Sequence, residues 1–138
     1  MTDVIYKREN LLHNPKCLDT FSEELQIEFD EIDDGSAVAH MTLRKEMENP
    51  IGSIHGGVLF SFADIVSGVA AAASGARVTT LNSTIQFLSP AMLTRNKVLT
   101  ARANAKKRGK TIQVMEVDIT DEKERMIASA QFSFYTLR

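Results

Sequence analysis

Cysteine is almost missing from this chain. Cys17 is the only one, so no internal disulfide can form, and no Cys/His cluster suggests a zinc site. The opening residues, MTDVIYKREN, lack the apolar run of a signal peptide. The most apolar stretch, Val58 to Ala73, is too short to span a bilayer and carries Asp64 in its middle. Positive charge is not in excess: the formal charge of -2 gives no overall basic field for holding nucleic acid. Internal repeats, low-complexity tracts and Pro/Gly-rich linkers are absent as well. What remains is ordinary globular usage. With 43% hydrophobic and 25% charged residues over 138 positions, the whole chain 1–138 reads as one folded domain rather than a disordered one. A cytoplasmic enzyme or binding protein is the default.

The hydrophobic pattern changes period along the chain. Asp3 to His13 reads as a short helix with Val4, Ile5, Leu11 and Leu12 apolar, ended by Pro15. Leu25, Ile27 and Phe29 then alternate with polar residues, as in a half-buried strand. Asp34-Gly35 signals a hairpin, and Ala37, Ala39, Met41 and Leu43 form the returning strand. NPIGSIHGG, from Asn49 to Gly57, is a loop. From Val58 to about Ser74 the pattern is helical and nearly all apolar, with Gly75 as C-cap. Such a helix, roughly 25 Å long, must be buried on most sides. Four strand-like segments follow, roughly Val78 to Leu88, Lys97 to Lys107, Thr111 to Thr120 and Arg125 to Leu137, with turns at Ser89-Pro90, Arg108-Gly109 and Asp121 to Lys123. No helices separate these strands, so the sheet is expected to be antiparallel and the class α+β. A curved sheet wrapped around one long central helix, the hotdog architecture, satisfies both patterns.

Asp64 is the first candidate for chemistry. It sits among Phe62, Ala63, Ile65 and Val66, and a carboxylate placed among apolar groups is costly unless it is paired or used. The bland alternative is a structural Asp bonded to a nearby hydroxyl or strand backbone. Gly57, Ser61, Asp64 and Gly68 follow helical spacing and share one small, polar face. That face suits close approach by a ligand, or close packing against a partner. His55-Gly56-Gly57 opens the helix, where free backbone N–H groups and the helix dipole stabilise negative charge. An oxyanion site at the Gly56 or Gly57 N–H is sensible there, and the alternative is a loop that only needs glycine conformations. Gly56 and Asp64 are separated by roughly 12 Å of helical rise. One subunit must therefore supply the donors and another the carboxylate, which predicts a homodimer with two composite sites. Asn49 either contacts substrate or water, or simply forms a turn before Pro50. Thr80 is a polar residue on the strand after the helix. Lys106 to Lys110 is a solvated hairpin tip or a phosphate site, and too short for nucleic acid.

Asn49 to Gly57, followed by six residues and Asp64, resembles the signature of hotdog thioesterases of the phenylacetate-degradation (PaaI) type. Gln86 to Ala91 resembles that family's strand after the helix, and Arg108-Gly109-Lys110 its basic hairpin. The resemblance runs from about Arg44 to Tyr135. It implies a metal-free acyl-CoA thioesterase with no cofactor beyond the coenzyme A of its substrate. It also implies a dimer with central helices side by side, usually doubled to a tetramer. Asp64 matches the catalytic acid, acting as general base or nucleophile. Gly56 matches the oxyanion donor, shaped by His55, and Asn49 and Thr80 match polar groups near thioester and water. Gly57 and Ser61 would line the substrate groove, and Arg108, Gly109 and Lys110 would hold coenzyme A. The rival readings are an acyl-CoA sensor on the same fold, a hotdog dehydratase or hydratase, and a purely structural dimer.

Overall fold

A computed structural model describes residues 19–137; the expected helix over residues 3–13 lies outside them. The elements, in chain order, are α1 (Thr20–Glu24), β1 (Ile27–Asp33), β2 (Ser36–Thr42), a 3-10 turn (Lys45–Met47), α2 (Gly56–Ala72), β3 (Val78–Phe87), β4 (Val98–Arg108), β5 (Ile112–Asp121) and β6 (Met126–Thr136). The six strands form one antiparallel sheet in the order β1-β2-β4-β5-β6-β3. α2 touches every strand, so the sheet curves around it.

The curvature has a residue-level cause. One row across the concave face, following the strand pairing, runs Phe29, Ala39, Ala101, Ile119, Ala128 and Phe87. The next runs Ile32, Ala37, Ala103, Val117, Ala130 and Ile85. Small side chains occupy most of the middle and large ones the rims. A helix bearing Leu59, Phe62, Val66 and Val69 therefore settles deep into the trough and the rims close on it. Irregular pairing near Asp30, Leu81 and Lys106 adds local bend and twist.

α2 begins two residues earlier than the hydrophobic pattern suggests, because His55 caps it: its Nδ1 accepts the Gly57 N–H at 3.0 Å. At the other end Gly75 takes a φ of +103° and its N–H bonds the Ala72 carbonyl, as expected of a C-terminal glycine. α1 was not foreseen. It is one and a half turns long, capped by Asp19, whose carboxylate accepts the Ser22 N–H at 2.9 Å and the Ser22 hydroxyl at 3.0 Å. Ser22 and Leu25, three residues apart, point into the core.

α2 is open along one stripe. Gly57, Phe60, Ser61, Asp64, Ile65 and Gly68 are not fully covered, while Leu59, Phe62, Ala63, Val66, Val69 and Ala70 are buried. β3 runs beside that stripe at the edge of the sheet and, among the described residues, pairs with β6 alone. No helix among the described residues is long and apolar enough to cross a membrane.

Candidate active site

β3 runs antiparallel to α2. Its start, Val78 to Thr80, lies by Asp64 and Gly68, and Phe87 at its end lies over Gly56. Leu81 is an extra residue in β3, falling between the Thr80–Phe134 and Asn82–Ser133 pairs. This bulge leaves Thr80 on the concave face opposite Phe134 and turned toward the helix. Its hydroxyl donates to Asp64 Oδ1 at 2.7 Å. Asp64 Oδ2 carries no hydrogen bond among the described residues. The paired-hydroxyl reading of Asp64 thus describes one of its two oxygens.

The Asp64 carboxyl opens into a chamber of about 350 Å³. Phe60, Ile65, Val69, Val78 and Phe134 supply its apolar wall, and Phe21 and Asp19 reach it from α1. Phe60 packs on Phe132, with ring centres 5.3 Å apart, and Phe132 on Phe134 at 6.2 Å, so the wall is backed by a continuous aromatic layer. Ser61 lines the chamber, but its hydroxyl donates back to the Gly57 carbonyl at 2.8 Å. Only its lone pairs face a ligand.

The helix start opens into a different groove, lined by Asn49, Ser53, Gly56, Leu59, Phe87 and Pro90 among others. Here the two glycines are not equivalent. His55 Nδ1 occupies the Gly57 N–H, so that ring carries its proton on Nε2. The Gly56 N–H has no acceptor among the described residues and is the free donor of the pair. Gly56 also carries no Cβ between that N–H and Phe87; a methyl there would stand 3.3 Å from the ring. Asn49 is largely consumed by its own loop. Its Oδ1 accepts the Ile51 and Ser53 N–H groups at 3.1 Å each, and its amide donates to Ser53 Oγ at 2.8 Å. The turn-forming alternative describes it, and one amide hydrogen remains for a ligand.

Among the described residues, none lines both spaces. Eight residues of helix, about 12 Å, separate Gly56 from Asp64. The basic hairpin lies elsewhere again, beside the C-terminal end of α2, where Gly35 N–H bonds Ala70 O and Gln113 bonds Ala71 O. Arg108 is committed there to Asp34 at 2.7 Å. Gly109 makes the turn, since a Cβ would press on the Ile112 carbonyl oxygen at 2.5 Å. Lys110 is exposed. The sequence singled out Asp64, Thr80 and Gly56, of which the structure joins the first two by a hydrogen bond, and did not point to the chamber wall. Phe60 and Phe134 were not singled out, and Phe21 needed α1. The Asp19 cap followed three residues later by Ser22 is the signal that could have found it.

An α+β hotdog domain thus carries two separate openings on one helix, one beside a half-open carboxylate and one beside a helix-start N–H. Comparison with known proteins places it in a family: the thioesterase superfamily matches residues 51–128, more than half the chain. Acyl-coenzyme A thioesterase PaaI of Escherichia coli is 33% identical over 110 residues, spanning 80% of this chain and 77% of that protein. Its solved structure covers 100% of this chain and 97% of its own, with a TM-score of 0.86 at 26% identity over that wider alignment. A Streptococcus pneumoniae thioesterase solved with coenzyme A is 32% identical, with a TM-score of 0.77, covering 80% of this chain and 85% of that one. That protein was also solved with an Asp, and separately a Thr sixteen residues further on, each replaced by Ala. The chain belongs to the thioesterase superfamily, as a thioester hydrolase with the hotdog fold of PaaI type.

Proposed function

We propose that this protein hydrolyses acyl-coenzyme A thioesters at sites shared between two copies of the chain. The single observation that carries the shared site is the separation of Asp64 and Gly56 into different openings on one helix. A second copy supplies the missing half. β3 offers the surface for it: an edge strand with unpaired backbone groups, where Leu81 and Phe87 are each more than half exposed. A twofold contact along that edge sets the open stripe of one α2 against that of the other, running in opposite directions, so Asp64 of each copy approaches Gly56 of the other.

In such a site the thioester oxygen accepts the Gly56 N–H, and the acyl group occupies the chamber beside Asp64. Asp64 Oδ2 removes a proton from water while Thr80 holds Oδ1. The hydroxide adds to the carbonyl carbon, the oxyanion draws on the Gly56 N–H and the helix dipole, and the carbon–sulfur bond breaks as the carbonyl reforms. The proton passes to the departing sulfur, giving the free acid and coenzyme A. The acid–hydroxyl pair has support from the pneumococcal relative, whose altered Asp and Thr stand the same sixteen residues apart as Asp64 and Thr80. The exposed Lys110 and the Lys106–Lys107 pair are the cations left for coenzyme A phosphates once Asp34 has taken Arg108.

Subunit complementation tests this. Asp64→Asn and Gly56→Val protomers, each inactive alone, are unfolded together and refolded as a mixture. A shared site restores one of two sites in each mixed dimer, about a quarter of wild-type activity for random pairing. A site confined to one chain restores none, and that result sinks the shared-site proposal.

A further inference from the structure

We infer that Phe21, on the five-residue helix α1, limits the length of acyl chain the site accepts; this rests on the acyl-CoA reading above. Phe21 is 56% exposed, yet its ring lines the same chamber as the Asp64 carboxyl. It is not placed there by its own burial. Its neighbours place it: Ser22 is fully buried, Leu25 is 7% exposed, and the Asp19 carboxylate fastens the helix start through two bonds to Ser22. A solvent-facing ring held by anchored neighbours serves the space it borders.

The rest of the lining says what that space holds. Phe60, Ile65, Val69, Val78 and Phe134 make it apolar, with Asp64 and Thr80 marking where the carbonyl carbon must lie. An acyl chain starting there runs among these side chains. α2 and β3 are fixed by the core and the sheet, and Gly68 already presents no side chain. Among the described residues, Phe21 is the one large apolar lining group that comes from outside α2 and the sheet. Changing its size changes the chamber while leaving the core intact, because about half of the ring is already in water.

The test measures kcat/KM for saturated acyl-CoA esters from butanoyl to hexadecanoyl, with wild type, Phe21→Ala and Phe21→Trp. Wild-type kcat/KM should rise with length to a limit and then fall. Phe21→Ala should move that limit to longer chains, raising the long-to-short ratio by about fourfold for each methylene newly covered. Phe21→Trp should move it to shorter chains. If both variants keep the wild-type profile, or if Phe21→Ala lowers every ester equally, Phe21 does not set chain length and the inference fails. If the wild type hydrolyses none of the esters, the proposed function fails first and takes the inference with it.

Discussion

The Asp64–Thr80 pair lends itself to a quantitative test. Asp64→Asn preserves the shape of the side chain and can still accept the Thr80 hydroxyl, but it cannot take a proton from water. Loss of a positioned general base costs about 10²–10⁴ in rate, roughly 3–5 kcal/mol of transition-state stabilisation. Thr80→Val removes only the hydroxyl that donates to Oδ1 at 2.7 Å. Bonds to charged groups contribute about 1.5–3 kcal/mol, and this pair is open to solvent, so the lower figure applies. The expected loss is about tenfold in kcat. In the proposed site Thr80 acts through Asp64 and not on substrate directly, so the two losses should not multiply. The double variant should be no slower than Asp64→Asn alone, giving a coupling of about 1.5 kcal/mol. The assay follows release of free coenzyme A thiol, with melting temperature and molecular mass checked for each variant. Fully multiplicative losses would refute the positioning role of Thr80, and near-normal turnover by Asp64→Asn would refute the carboxylate mechanism itself.

Other perturbations reach the fold and the interface. Ala101→Leu puts a larger side chain on the floor of the trough beneath α2 and should cost about 1–3 kcal/mol through overpacking, read as a lower melting temperature; an unchanged value would mean the helix is not seated on that row. Leu81→Lys places a charge on the free edge of β3 and should lower both molecular mass in light scattering and activity together; an active dimer of normal mass would place the contact elsewhere. Glu122 sits at the β5–β6 turn, where desolvation opposes its charge, but its own N–H, those of Lys97 and Val98 and the Asn96 amide outweigh this and hold its pKa down to about 2. A folded value below the ordinary 4.5 means the added stability is present above pH 4.5 and disappears as pH falls toward 2. Glu122→Gln should therefore lower the melting temperature at neutral pH and flatten its decline in acid; parallel curves for variant and wild type would contradict this.

Much of the architecture was legible because the two periodicities are strong. Alternation in Ala37, Ala39, Met41 and the later strands, and the unbroken apolar helix carrying one acid, each admit few arrangements. Strand limits fell within a few residues of those expected. What escaped were features set by tertiary context. α1 is five residues long and has no repeat to display; its cap and two buried anchors matter only once the core exists. The bulge at Leu81 leaves no mark on composition, yet it decides that Thr80 turns toward Asp64. The residues of His55-Gly56-Gly57 left either glycine N–H open as a donor and only the resemblance pointed to Gly56; the ring position of His55 shows that the Gly57 N–H is already taken. Arg108 looked like free charge until the β1–β2 turn brought Asp34 against it.

The proposed shared site also ties turnover to association. Each protomer folds around its own α2, with the core closed beneath the helix and one stripe left open. Nothing in the folding of a single chain brings Gly56 closer to Asp64, since a helix of fixed rise holds them about 12 Å apart. A monomer can thus be fully folded and inactive. Specific activity should then fall on dilution in step with the dimer fraction measured by mass photometry or sedimentation, while the circular dichroism of the dilute sample stays native. Were activity per chain constant through the range where dimers dissociate, each copy would carry a whole site of its own. The proton and the oxyanion would then have to be handled by groups other than Asp64 and Gly56 acting as a pair.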